Sequence, residues 1–273
     1  MADSTLSPPL FGILSALVEE RTGMHYEAHD LELFASKLVA RALDAGFESA
    51  LDYYYFLRYD DPERREFDSL TEALVVNETY FYREAQALRV VCDDVVRRVI
   101  ASGRRARVWC AACSTGEEPL TLAMLLAERG LLPQVEIVAS DISERALARA
   151  REAVYGQRSL RAVVDPSKER WLEQVGDKFS VRREICGAVT WRRVNLLDRE
   201  TVSVMGAFDA ILCRNVLIYF SETTIRQVVS TLTDALRDDG CLFVGTSESL
   251  LRFGTLLACE ERGGSFLYRK PAS

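Results

Sequence analysis

Histidine is scarce, with only His25 and His29 among 273 residues. Their i,i+4 spacing straddles a break before Asp30, and no acid or cysteine cluster joins them. Neither a metal site nor a histidine general base is expected. No apolar run approaches the 18 residues that a membrane-spanning helix requires. The opening MADSTLSPPL has no basic stretch and no long apolar segment, so it does not read as a secretory leader. Basic charge is in deficit: 34 Lys and Arg face 41 Asp and Glu, giving a net charge of −7. That excludes broad nonspecific attachment to nucleic acid or an anionic membrane and leaves room for a local basic patch at most. Seven cysteines, an odd and scattered set, read as reduced thiols of a cytosolic protein. Cys110 and Cys113 have C-x-x-C spacing, but no second pair completes a zinc site, so no metal is expected. Internal repeats and low-complexity segments are absent.

What is present reads as two parts. Hydrophobic residues make up 48% and charged residues 27%, the balance of a folded globule rather than a disordered chain. Up to about residue 80, apolar residues recur at helical spacing: Leu10, Ile13, Leu14, Leu17 and Val18, then Leu31, Phe34, Leu38 and Ala42, then Leu51, Tyr54, Tyr55 and Leu57. Asp61-Pro62-Glu63 looks like an N-cap with proline at the first helical position, ahead of Phe67, Leu70 and Leu74. The Tyr53–Phe56 aromatic run fits helix packing. From about Arg104 the rhythm changes to strand and helix in alternation. ARVWCAA leads to PLTLAMLLAERG, and VEIVASD to SERALARAREAVY; FDAILC, a helix from Ile225 to Leu236, GCLFVG and SFLYRK follow. This predicts an α/β fold, a mostly parallel sheet with helices on both faces. A polar, alternating stretch between Asp165 and Asn195 suggests a small antiparallel insertion.

In such a sheet ligands bind at the carboxyl ends of the strands. The first strand runs into Ala112-Cys113-Ser114-Thr115-Gly116-Glu117-Glu118-Pro119. A dinucleotide site would want G-x-G-x-x-G there, so that backbone can approach a pyrophosphate. One glycine and two carboxylates suit a ligand bearing an ammonium or sulfonium group instead, although glutamates in a first turn also simply complement the helix dipole. Asp141 ends the second strand, where an acid can bond both hydroxyls of a ribose. Together they place a nucleoside on Asp141 and an amino-acid moiety near Glu118, the pattern of S-adenosylmethionine.

Four segments then occur in one order: Asn77-Glu78-Thr79-Tyr80-Phe81-Tyr82-Arg83-Glu84, Thr115 to Pro119, Ser140-Asp141-Ile142, and Phe208-Asp209 through Cys213-Arg214-Asn215-Val216-Leu217-Ile218-Tyr219-Phe220. By these the sequence resembles the chemotaxis receptor methyltransferases (CheR-type protein-glutamate O-methyltransferases) over nearly its whole length. The resemblance implies a small all-α domain at 1–80. A class I S-adenosylmethionine-dependent methyltransferase domain, Rossmann-like, would follow at 81–273 and carry the small β subdomain at about 165–195. It implies that Asn77, Thr79 and Arg83 contact S-adenosylmethionine or border its methyl group. It also carries over Glu118, Asp141, Asn195, Leu196, Arg214 and Asn215 as cofactor ligands, and Tyr219, with Arg83, as a residue facing the transferred methyl.

The implied reaction is methyl transfer to glutamates on the helical bundle of methyl-accepting receptors, by a monomer acting without nucleic acid, membrane insertion or metal. A basic face of the helical domain meets that acidic bundle in the family; here Lys37 and Arg41 offer it, a sparser set. Some members grip a receptor C-terminal peptide through a lengthened, glycine-containing turn of the insertion. Here Glu173 to Ser180 is short with one glycine, so the expectation is tether-independent recognition. Two other readings stand beside this one. Methylation of RNA or a small molecule is opposed, for RNA, by the net charge and the missing basic stripe. A non-catalytic module is opposed by intact Arg83, Glu118, Asp141 and Tyr219.

Overall fold

The computed structural model describes residues 6–164 and 169–272. The first five residues and the start of the expected insertion at Asp165 lie outside them. The chain divides into two compact units, Met1–Val76 with Tyr219–Thr224, and Asn77–Ile218 with Ile225–Ser273. Among the described residues no helix is long and apolar enough to cross a membrane.

The first unit holds α1 (Pro8–Thr22), α2 (Leu31–Asp44), α3 (Ala50–Tyr55), which runs on as a π-helical turn over Phe56–Asp60, and α4 (Arg65–Leu74). The first, second and fourth stripes bury Leu14, Leu17, Val18, Phe34, Leu38, Phe67, Leu70 and Leu74 in one core; of the third only Leu57 is fully buried, Leu51 and Tyr55 are exposed, and Tyr53 fills the place instead. Each buried side chain contributes about 1.5–3 kcal/mol by leaving water. Phe11 takes the place expected of Ile13, which stays exposed. α4 begins later than the Asp61-Pro62 pattern suggests. The Asp61 carboxylate reaches forward to accept the Phe67 N–H at 2.8 Å, so Pro62 and Glu63 form a turn outside the helix. α1 stops at Gly23, whose φ of +82° lets its N–H return to the Glu19 carbonyl. A Cβ there would lie 3.0 Å from Thr224, within the segment that returns to this unit. Met24 bridges Phe220, and the His25 N–H donates to the Tyr219 carbonyl at 2.8 Å.

The second unit opens with α5 (Ala85–Val90), continued through a π-helical stretch at Val91–Val96 into α6 (Arg97–Ala101). There follow β1 (Ala106–Ala111), α7 (Glu117–Glu128), β2 (Val135–Asp141), α8 (Glu144–Glu152), β3 (Val154–Tyr155), β4 (Leu172–Val175), β5 (Lys178–Val181), α9 (Arg183–Cys186) and β6 (Val189–Arg193). Then come α10 (Arg199–Ser203), β7 (Phe208–Cys213), α11 (Glu222–Asp234), β8 (Leu236–Phe243), β9 (Ala258–Arg262) and β10 (Ser265–Arg269). α11 thus ends before Leu236, which opens β8. The main sheet has seven strands in the order β6-β2-β1-β7-β8-β10-β9. The first five are parallel, and β10 runs antiparallel to both neighbours. This is the Rossmann-like α/β class that the sequence implies. β1 and β7 are buried throughout save one residue, as strands covered on both faces must be.

The small antiparallel sheet is β3-β5-β4, joined at β4–β5 by the two-residue turn Gly176-Asp177, with Gly176 at φ +63°. Its strands run from 154 to 181, so the expected span of about 165–195 needs correction. Arg183–Cys186 is helical, and Val189–Arg193 is an edge strand of the main sheet, Ile137 opposite Val189 and Asp141 opposite Arg193. Val189 is buried and Trp191 packs against the main core, which decides the pairing.

Candidate functional site

Crowding shapes the loop after β1. Ala112 and Ser114 hold left-handed φ values of +56° and +52°, and Gly116 holds +91°. Such conformations in non-glycine residues cost energy and persist only where surroundings fix them. Here the Cys113 N–H donates to the Ser140 carbonyl at 2.8 Å, and the Ser114 N–H to Asp141 Oδ2 at 2.7 Å. Asp141 Oδ1 accepts the Ser143 N–H at 3.0 Å. A buried carboxylate at the end of β2 therefore ties down the loop at the end of β1. At Gly116 a Cβ would come within 2.7 Å of the Ala150 Cβ and 2.8 Å of the Trp191 ring, so α8 and β6 pack directly on this backbone. Glu117 is buried with its carboxylate accepting the Thr115 hydroxyl at 2.7 Å, and burial pushes its pKa up.

A second network centres on Arg214, just past β7, which is 6% exposed. Its Nη1 donates to Glu118 Oε2 at 2.5 Å; its Nη2 donates to Glu84 Oε2 and to the Arg83 carbonyl, each at 3.0 Å. Burial pushes the Glu118 carboxyl up more than Arg214 pulls it down. At Glu84 burial also pushes up, but the bond and charge of Arg214 and the Thr246 N–H prevail, and the carboxyl sits below its ordinary range. Two carboxylates share the Arg214 guanidinium, and Arg83 is a further cation acting on Glu118. Charges withdrawn from water in this way are costly unless paired, and here Arg214, Arg83 and the Thr246 N–H pair them.

The segment before α5 joins the two networks. Asn77 Oδ1 accepts the Ser114 hydroxyl at 3.1 Å, Thr79 is half-buried, and Arg83 donates from Nη1 to the Glu78 carbonyl at 2.8 Å. Phe81 is fully buried, donating its N–H to the Ser159 carbonyl and setting its ring edge-on to Tyr155 at 4.9 Å. Beyond β6, the Val194 N–H donates to the Asp141 carbonyl at 3.0 Å, which brings Asn195 and buried Leu196 past the end of β2. Asn195 Oδ1 accepts the Leu197 N–H. Asn215 sits at φ +58° with its side chain 3.5 Å from Glu84 Oε1. Hydrogen bonds thus link Asn77 through Ser114 to Asp141, and Arg83, Glu118 and Asn215 to one another through Arg214 and Glu84, while Asn195 and Leu196 follow Val194 in the chain.

Sequence reasoning did not single out Glu84 as a site residue, and it missed Glu248 altogether. Glu248, 9% exposed, accepts the N–H groups of Asn215 at 2.7 Å, Gly245 at 2.6 Å and Ile218 at 3.3 Å. One carboxylate holds the turn after β7 from the loop after β8. Glu84 had a readable signal, its adjacency to Arg83; Glu248 had none, since two of its three partners, Asn215 and Ile218, lie 33 and 30 residues earlier.

Tyr219, Lys37 and Arg41 fall in the helical unit. Tyr219 is half-buried, near Tyr26, whose hydroxyl is pushed up to about 12 by burial with Asp30 and Tyr219 adding to it. Lys37 Nζ donates to the Leu74 carbonyl at 3.1 Å, and burial lowers its pKa. Arg41 forms a two-pronged pair with Glu66, both bonds 2.7 Å, and the Tyr53 hydroxyl donates to the same carboxylate. Both cations offered for docking are thus bonded inside their own unit. Cys110 and Cys113 are buried with thiols pushed well up by burial, the state of inert rather than reactive cysteines.

The donor set suits one class of ligand. Carboxylates beyond the ends of β1 and β2 repel a pyrophosphate, whereas a ribose diol suits the acceptors of Asp141 and an ammonium or sulfonium group suits the carboxylate of Glu118. The family model for the CheR methyltransferase, SAM binding domain matches residues 77–261. The chain is similar to chemotaxis protein methyltransferase 2 of Vibrio cholerae, 32% identical over 260 residues that cover 92% of this chain and 89% of that protein. It is similar to the chemotaxis protein methyltransferase of Escherichia coli at 34% over 250 residues, covering 89% and 85%. Among solved structures, an O-methyltransferase family protein from Burkholderia thailandensis matches 96% of this chain and 83% of that one, at 14% identity and a TM-score of 0.43.

Proposed function

Since the chain belongs to the CheR methyltransferase family and is an S-adenosylmethionine-dependent methyltransferase, we propose that it esterifies glutamate side chains on the helical bundle of chemotaxis receptors. The observation that carries the cofactor half of this reading is the buried pairing of Glu84 and Glu118 on Arg214. Asp141 would hold the ribose hydroxyls. Glu118, oriented by Arg214, would hold the ammonium end, and Asn77, Thr79, Asn195, Leu196 and Asn215 would complete the walls. When bound, S-adenosylmethionine supplies a methyl group made electrophilic by its sulfonium.

The acceptor needs no base. An exposed glutamate has a pKa of about 4.3 and is already ionised at neutral pH. Catalysis then consists of bringing a carboxylate oxygen into line and stripping its water. Arg83 would attract and orient that carboxylate, and Tyr219 would donate a hydrogen bond to it or shape the methyl pocket. The ester removes one negative charge from the receptor, a change that alters how charged helices pack. The two-residue turn Gly176-Asp177 supports direct recognition of the methylation region rather than a peptide tether.

Transfer of labelled methyl to a receptor cytoplasmic fragment tests the reading. Mild alkali should release the label as volatile methanol, the signature of a carboxyl ester. Alkali-stable label, or label entering RNA instead, would overturn the proposal.

A further inference from the structure

We propose that Glu78 is a positioning residue: gripped by Arg158 and Arg161, it latches the segment from Asn77 to Arg83 to the turn at residues 157–161. The inference rests on the reading that this segment contacts the cofactor. Glu78 Oε2 meets Arg158 Nη2 at 2.5 Å, and Oε1 meets Arg161 Nη2 at 2.6 Å. Arg161 also lies over the Tyr80 ring, 3.7 Å from its centroid, so one guanidinium holds two residues of the segment. The Glu78 carbonyl in turn accepts Arg83 Nη1, which fixes the side chain proposed to orient the acceptor. Phe81 pins the same segment from beneath, through its buried ring and its bond to Ser159.

The segment needs such fastening. Tyr82 and Glu84 hold left-handed φ values of +61° and +46°, conformations that persist only when several contacts over-determine them. Glu84 is tied by buried Arg214, and Phe81 by the core. Glu78 is the fastening on the open side, with its side chain 41% exposed and those of Arg161 and Arg158 37% and 83% exposed. Exposed ion pairs are screened by salt far more than buried ones, so ionic strength acts on this fastening more than on the other two.

Glu78→Gln keeps the size and removes the charge. Amide exchange at residues 79–83 should quicken about threefold to tenfold, the worth of two exposed pairs, with the sheet unaffected. S-adenosylhomocysteine affinity, read by calorimetry, should fall by a similar factor. In the unaltered protein that affinity should decline with added sodium chloride, and in Glu78→Gln the decline should flatten. Arg161→Lys should retain only part of the latch, because it keeps the charge but loses the planar stacking on Tyr80. Unchanged exchange at 79–83 overturns the latch, as does a variant with the salt slope of the unaltered protein. Quickened exchange with full affinity, in Glu78→Gln and in Asn77→Ala alike, would leave a latch but overturn the cofactor reading, and with it the positioning role.

Discussion

Both oxygens of Asp141 already accept backbone N–H groups, from Ser114 and Ser143, yet an ionised carboxylate has about four acceptor positions. The carboxylate thus braces the loop, and under the proposed reading it also receives the ribose. Asp141→Ala should weaken S-adenosylhomocysteine binding by about 1–3 kcal/mol, since buried donors lose their acceptor. Calorimetry returning the original affinity would remove Asp141 from the site. Arg83→Ala should lower turnover strongly and Tyr219→Phe less, because phenylalanine keeps the ring and loses one hydrogen bond. If both variants methylate a receptor fragment at the unaltered rate, neither has the assigned role. His25 is paired with Glu19 and His29 is exposed beside Glu27 and Asp30, both within the helical unit. Turnover should accordingly show no ionisation near about pH 6.5; a clear titration there with the fold intact would contradict a base-free mechanism.

At the scale of elements, α2 and α4 are joined by more than their apolar stripes. Arg41 spans them to Glu66, with Tyr53 of α3 on the same carboxylate. Two-pronged charge-assisted bonds of this kind, half-buried, are worth about 1–3 kcal/mol. Arg41→Ala should lower stability by that amount, and a double-mutant cycle with Glu66→Ala should show the two losses to be coupled rather than additive. The receptor KM should move little. A raised KM with unchanged stability would instead restore Arg41 to the docking face. The pair also shows what a sequence can and cannot carry. The helices of the first unit and the strand–helix alternation were legible because side-chain periodicity is local. So were the carboxylates after β1 and β2, since strand ends in such sheets are where ligands bind. The partner of Arg41 lies 25 residues away, and nothing in either position announces it. β6 was misread for a related reason: alternation in Val189–Arg193 says that one face is buried, not against which sheet. The late start of α4 and the Glu248 anchor depend likewise on bonds that skip over intervening chain.

For the whole molecule, carboxyl groups pull stability in two directions as pH falls. Hydrogen bonds from Arg129, Arg107 and Arg269 hold Asp93, Glu136 and Glu260 below their ordinary range, and the Thr201 hydroxyl does so for Asp198. For these the unfolded chain takes up protons first. Their contribution is present above the unfolded pKa and is lost as pH drops through the folded one. Burial pushes Glu117, Glu118 and Glu169 the other way. There the folded chain binds the proton first, so stability rises as pH falls from neutrality towards the unfolded pKa. Among the lowered groups Asp93 and Asp198 are exposed and Glu136, Glu260 and Glu84 half-buried, so solvent screening discounts them; of the raised pair at the start of α7, Glu117 is buried and Glu118 half-buried. Calorimetric Tm should therefore rise slightly on mild acidification, then fall below about pH 4, where ordinary carboxylates protonate. Glu117→Gln isolates the buried side of this balance. Its amide oxygen still accepts the Thr115 hydroxyl while the charge is gone. The variant should be more stable than the unaltered protein at neutral pH and should show a smaller rise on acidification. A neutral-pH Tm no higher than that of the unaltered protein would mean that Glu117 is not paying for its burial as a charged group.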